Sequence, residues 1–265
     1  MTIPTITPAS WSELHDVLFD EPWPVHAGEF HSGLIHRGMT DYSWPLMSSL
    51  DRLKLFTMEQ HLLRNFQKYA RLANFSPDRT WEWLAVAQHH GLPTRLMDWT
   101  YSPLVALHFA IANPAYPRSS VVWSLDYVRV HSRLPTMVRS AIRGDAAAFT
   151  TDMLDRASIP VWPKDWQELT DAYMVILEPP SIDDRIVNQY AGLSAFSSTK
   201  VAIEDWLATF SEPVALKIEV LPHLKAEIRE KLDKANINER VIYPGLDGLA
   251  TWLTRYYSTP ARTWI

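Results

Sequence analysis

The sequence predicts an α+β fold, one compact domain whose central, mostly antiparallel sheet is flanked by helices. Three observations lead there. The chain has 265 residues, 47% hydrophobic and 21% charged, which is enough apolar surface for the full core of a soluble globular protein. Short apolar runs of strand character are interspersed with stretches of helical periodicity. No repeat, linker or low-complexity segment divides the chain, so residues 1–265 read as a single domain, with residues 129–171 as a helical or loop insertion.

The elements follow in order. Ser10-Trp11-Ser12-Glu13 is a capping box and predicts a helix over about 11–20. Leu34-Ile35-His36-Arg37-Gly38 reads as a strand ending in a turn. Leu50, Leu53, Met58, Leu62, Leu63, Phe66 and Tyr69 have helical spacing and predict a helix near 49–73. Ser76-Pro77 opens a second helix that ends at Gly91. The next helix runs from Pro103, with Leu104, Leu107, His108 and Ile111 on one face, and stops before Pro114.

Ser120 to Leu125 predicts a buried strand, 135–157 a helix, and 158–171 a Pro- and Trp-rich connection that serves either as an active-site flap or as a packed loop. Tyr173 to Leu177 and Val214 to Val220 predict two more strands. A charged helix from Pro222 to Ala235 and a short β-branched run, Glu239-Arg240-Val241-Ile242-Tyr243, come next. Pro244-Gly245 then turns into a final helix to Tyr257.

Composition narrows the function classes. Cysteine is absent, so disulfides, thiolate zinc sites and a cysteine nucleophile are ruled out. A net charge of −5 argues against a polyanion-binding surface, which disfavours nucleic acid as a partner. The opening Met1-Thr2-Ile3-Pro4-Thr5 lacks the basic flank and apolar stretch of a signal peptide, and no run approaches the ~20 apolar residues of a membrane span. A cytoplasmic location with no membrane partner is therefore expected. The 12 tryptophans mostly serve packing. Gly38, Gly91, Gly192, Gly245 and Gly248 all stand beside polar or turn residues, as expected where backbone bends tightly or approaches a ligand.

The densest chemistry lies at 88–100, Gln88-His89-His90-Gly91-Leu92-Pro93-Thr94-Arg95-Leu96-Met97-Asp98-Trp99-Thr100. Two imidazoles, a guanidinium, a carboxylate and two hydroxyls share one connection, read as a loop held between two packed helices, the usual place for binding and catalytic groups. His89 and His90, neighbours at a helix end, point about 100° apart, so one can cap the helix while the other faces a cavity. Asp98 with Arg95 is the pair least expected to be idle. Thr94, Arg95, Asp98 and Thr100 are equally compatible with a self-satisfied loop that docks two helices, and Arg37 with either a ligand or a core pairing to Asp98.

These residues, with Arg37-Gly38 after a strand, resemble the FRG domain, named for an aromatic-Arg-Gly motif. The likeness continues through Pro103, Leu104, Ala106, Leu107, Phe109 and Ala110, then Arg185, Gln189, Gly192 and Phe196, then Ile242-Tyr243-Pro244-Gly245-Leu246-Asp247-Gly248-Leu249. One departure is His36, a histidine where the family motif has an aromatic residue.

A second, shorter likeness is to the ADP-ribosyltransferases, which place an Arg-Gly at an early strand end, a Ser-Thr motif later and a glutamate beside a late strand. Here Arg37-Gly38, Phe196-Ser197-Ser198-Thr199 and Glu239 stand in that order. That resemblance implies NAD as the substrate, with ADP-ribosyl transfer to a macromolecule or NAD hydrolysis as the reaction. It implies catalytic roles for Arg37 and Glu239, and the 88–100 cluster adds Asp98 and one of His89 and His90 as catalytic candidates. Contacts to NAD would fall to Arg37, Gly38, Gln88, Thr94, Arg95, Thr100, Ser198 and Thr199, and no metal is expected.

The expected partners are a nucleotide-like small molecule and a macromolecular acceptor or regulatory protein, in the setting of a bacterial toxin or anti-phage effector. Two other classes stay open. One is a non-catalytic ligand-sensing or protein-interaction module, which needs the cleft but no acid or base. The other is a metal-dependent hydrolase or nuclease, disfavoured because neither His-Glu-x-x-His nor His-x-His occurs. Nucleophile elbows, phosphate-binding Gly-rich loops and dinucleotide fingerprints are missing as well.

Overall fold

A computed structural model describes residues 2–20, 33–70, 79–113, 115–142, 148–162 and 172–258. Its strands are β1 (Thr5–Ile6), β2 (Leu34–Met39), β3 (Leu96–Thr100), β4 (Ser120–Asp126), β5 (Phe149–Thr150), β6 (Met174–Glu178), β7 (Ala191–Phe196) and β8 (Ala215–Val220). The helices of the first half are α1 (Trp11–Phe19), α2 (Ser49–Arg52), α3 (Glu59–Ala70), α4 (Thr80–His89) and α5 (Pro103–Ala110). After them come α6 (Tyr127–His131), α7 (Thr136–Arg139), α8 (Thr151–Arg156), α9 (Asp184–Asn188), α10 (Ile203–Leu207), α11 (Lys225–Lys234), α12 (Glu239–Ile242) and α13 (Leu246–Ser258). None of the described helices is long and apolar enough to cross a membrane.

The strands form one eight-stranded sheet in the order β1-β8-β4-β2-β3-β7-β6-β5. The inner pairings are antiparallel, and each edge strand, β1 on β8 and β5 on β6, is parallel. This is the α+β class expected, with helices on both faces.

Period-two alternation sorts the strand side chains into two packed faces. Ile35, Met39, Met97, Trp99, Trp123 and Ile176 point to one face and are covered by Trp206 and Phe210 around α10. The opposite face carries two separate apolar packs. Val122, Ile218 and Val220 lie under α1, α5 and α11, whereas Leu96, Val175 and Leu193 lie under α4 with Trp81 and Trp83. At the sheet centre, between those packs, β2 and β3 present His36, Gly38, Asp98 and Thr100 on that face, with His36 opposite Thr100.

Gly38 sets how closely α5 approaches. A Cβ there would lie 1.8 Å from the Ala106 carbonyl oxygen and 2.6 Å from the Ala110 nitrogen, so any side chain would push the helix off β2. This glycine serves close helix–strand packing inside a strand rather than a turn. Gly91, by contrast, is a helix stop. It has φ +84°, and the bonds Gly91 N–H to Gln88 O at 2.9 Å and Leu92 N–H to Ala87 O at 2.9 Å close α4 in a Schellman motif.

Several sequence expectations are corrected. Residues 88–100 are not a loop throughout, because Leu96–Thr100 is the central strand β3. Leu96 is buried in one face and Met97 and Trp99 in the other, a pattern hidden by the polar Asp98 and Thr100. The 49–73 helix is interrupted, since Lys54 adopts φ +57° and a 3-10 turn at Phe56–Met58 precedes α3; residues 71–73 lie outside the described residues, as do Ser76 and Pro77. The 135–157 helix breaks into α7 and α8 around β5, where Phe149 is fully buried beside Leu177. Glu239–Ile242 is the turn of helix α12 and not a strand, because tertiary packing of Glu239 and Gly248 overrides the β propensity of Val241 and Ile242. Of the 158–171 connection, Val161 and Trp162 pack onto the Arg95 region, and 163–171 lie outside the described residues.

Candidate functional site

The gap between the two apolar packs is a cavity of about 390 Å³ over the centre of the sheet. Its floor is the polar stretch of β2 and β3. One wall is α5 with Phe109, another is the C-terminal end of α4 with Gln88 and His89, and a third is α9 with Arg185 and Gln189. Trp44 and Arg52, from the segment after β2, complete the rim.

Asp98 is the carboxylate among the lining residues. It is exposed to the cavity and held in place by Gln88, whose Nε2 donates to Asp98 Oδ1 and Oδ2, both at 3.2 Å. Gln88 is itself oriented by the buried Thr94, whose Oγ1 donates to Gln88 Oε1 at 2.5 Å. Since Thr94 Oγ1 also accepts from the Leu96 N–H at 3.2 Å, the start of β3 fixes the chain Thr94, Gln88, Asp98. The carboxylate is thus presented in a defined orientation.

Arg37 donates from Nη1 to the backbone carbonyl of Asp98, and its Nε is buried with no acceptor. Burial pushes the Arg37 pKa down; the nearby Asp98 carboxylate opposes that shift and the Arg52 guanidinium adds to it. Arg185 reaches over the Tyr243 ring at 5.2 Å. Neither Arg52 nor Arg185 forms an ion pair among the described residues. Among the described residues, three arginines and one carboxylate line the cavity, which makes its lining cationic although the whole chain is acidic.

His89 lines the cavity and bonds through Nε2 to Asp183 Oδ2 at 2.5 Å, joining α4 to α9. Burial raises the Asp183 pKa, but the Ile186 N–H and His89 outweigh it, so the net shift is downward. His90 is exposed, with its ring edge-on to His89 and near Phe66. The floor histidine, His36, bonds through Nδ1 to Ser124 Oγ at 2.8 Å, and burial lowers its pKa to about 4, so the ring is neutral. Thr100 Oγ1 donates to Gln189 O at 2.7 Å and ties β3 to the α9 wall.

The structure therefore brings Arg37, Gly38, Gln88, His89, Asp98 and Thr100 together around one cavity. It places the other sequence candidates elsewhere. Arg95 is buried, donates two hydrogen bonds to Glu59 Oε2 (Nε 2.8 Å, Nη2 2.6 Å) and a third to Val161 O, a tie whose breakage costs about 3–5 kcal/mol. Thr94 acts behind Gln88. Ser198 Oγ accepts the Lys200 and Val201 N–H groups in a turn after β7, and Thr199 is exposed there. Glu239 is buried against Arg255 (2.7 and 2.8 Å) and does not line the cavity. Among the described residues, no group of three His, Asp or Glu side chains is placed to hold a metal ion.

Arg52, Trp44, Asp183 and the inward ring of His36 were not assigned from sequence. Arg52 and Trp44 belong to no motif and reach the site through the fold alone. His36 carried a signal, as the departure from the aromatic of the motif.

Comparison with known families places the FRG domain model on residues 32–118, the stretch from the strand that carries Arg37-Gly38 to the end of the segment after α5. No curated protein and no solved structure matches the chain. The α9 and β7 parts of the cavity lie beyond the matched stretch. From the β2 floor through α4, β3 and the α5 wall, the cavity is built by the segment that matches the FRG domain model.

Proposed function

We propose that the cavity binds a nucleotide-like anion and that its chemistry is directed at NAD, by ADP-ribosyl transfer to a macromolecule or by hydrolysis. The observation that carries this reading is the meeting of three guanidinium groups with one oriented carboxylate in a single cavity. Forked guanidinium donors suit phosphate oxygens. The carboxylate suits a reacting centre that gains positive charge.

In such a reaction the bond between the ribose C1′ and the nicotinamide nitrogen breaks, and its electron pair leaves with nicotinamide. The ribose becomes oxocarbenium-like, and the Asp98 carboxylate stabilises that charge. Water or an acceptor nucleophile then adds to C1′ and loses a proton, for which His89 beside Asp183 serves as relay. Arg37 grips the phosphate end, and Gln88 keeps Asp98 aligned. The family resemblance motivates a setting as a bacterial toxin or anti-phage effector.

The test is nicotinamide release from NAD, with and without cell lysate, by the wild type and Asp98→Asn. The Gln88 amide can still donate to the side-chain oxygen of the variant, so the melting temperature should hold while release falls by about 10²-fold or more. Undiminished release in the variant, or a wild type that neither releases nicotinamide nor is stabilised by NAD, would sink the reading and leave a non-catalytic binding module.

A further inference from the structure

Arg52 is the last residue of α2, capped by Ser48, and the helix is tied to the strand-entry segment by the Leu50 N–H and Ser49 Oγ bonds to Thr94 O, both 3.3 Å. Its side chain is thus carried on an anchored element to the rim of the cavity that Arg37 also lines. No carboxylate among the described residues lies within ion-pairing distance of Arg52. The Asp98 carboxylate is bonded by Gln88 and is one negative charge facing three positive ones.

Two neighbouring guanidinium groups with only the Gln88-bonded Asp98 carboxylate to balance them, one with a buried Nε lacking an acceptor, form an arrangement that costs stability until an anion arrives. A carboxylate brings a single charge, which one guanidinium satisfies. A phosphoryl group brings about −1.5 to −2 and three strong acceptor oxygens, enough to engage two forks at once.

We infer that Arg52 and Arg37 together form a phosphate subsite, so the ligand class is phosphate-bearing rather than carboxylate-bearing, and Arg52 determines that choice. This rests on the reading of the cavity as a nucleotide-like site. Arg52 is exposed and outside the cores, so its substitution leaves the fold intact. Loss of the like charge beside Arg37 keeps the ligand-free melting temperature level or raises it, whereas removal of a structural arginine lowers it.

The experiment is calorimetric titration of AMP, adenosine 5′-carboxylate and adenosine into the wild type and Arg52→Gln, with ligand-free melting temperatures. The wild type should bind AMP at least about tenfold more tightly than the carboxylate. In Arg52→Gln that gap should close through weaker AMP binding, with no loss of melting temperature. Equal binding of AMP by both proteins, or of AMP and the carboxylate by the wild type, overturns the subsite while leaving the cavity reading in place. Failure of all three compounds to bind the wild type overturns both.

Discussion

His36 sits where burial opposes charge. Its Nδ1 is engaged by Ser124, its pKa is lowered from 6.5 to about 4 by burial, and it forms part of the cavity floor. The unfolded chain therefore takes up the proton first as pH falls. Stability from the neutral ring is complete above pH 6.5 and is lost as pH drops toward 4, by about 3 kcal/mol across that window. His108, lowered to about 4 by burial and then by Arg229, acts in the same direction. Urea unfolding at pH 7 and pH 5 should show this fall, and His36→Phe, which keeps a flat ring, should remove about half of it. An unchanged pH dependence in the variant would show that His36 does not carry the linkage.

The same scale explains which site residues could be read from sequence. Gln88, His89, Asp98 and Thr100 lie close together in the chain, and the turn at Gly91 folds the end of α4 back on β3, so proximity in sequence became proximity in space. Arg95 shares that stretch but sits on the far side of the polar chain, drawn into the core by Glu59. Sequence spacing does not reveal that choice, because the partner is supplied by α3.

At the scale of elements, the ends of the chain's helices were legible where caps mark them. Ser10 accepts the Glu13 N–H at 3.2 Å, as its capping box implies, and Ser102, just before Pro103, accepts the Val105 N–H at 3.3 Å. Elements set by tertiary contacts were not legible. β3 was masked by its polar alternation, and α12 by its β-branched residues. Glu239 illustrates the consequence, since its carboxylate joins Arg255, which also bonds Asp233 at 2.7 and 2.9 Å. The side chains of that cluster are largely buried, and otherwise α13 buries little beyond Gly248. Glu239→Gln should therefore lower stability by about 3 kcal/mol and speed amide exchange across 246–258. Protection of α13 equal to the wild type would contradict this structural role.

For the whole molecule, the division of one sheet face into two apolar packs produces the site. Helices α1, α5 and α11 cover one half and α4 the other, and the polar centre of β2 and β3 is left between them. The fold class was readable from the alternation of helical and strand-like runs, whereas this seam was not. It depends on strand order, which places β2 and β3 side by side although 56 residues separate Met39 from Leu96. The cationic character of the seam is likewise invisible in a net charge of −5. A crystal structure with ADP-ribose tests whether a phosphate-bearing nucleotide occupies this seam. Phosphate density against Arg37 and Arg52, with a ribose beside Asp98, is the expected result, and ligand density bound elsewhere, with the cavity empty, would contradict it.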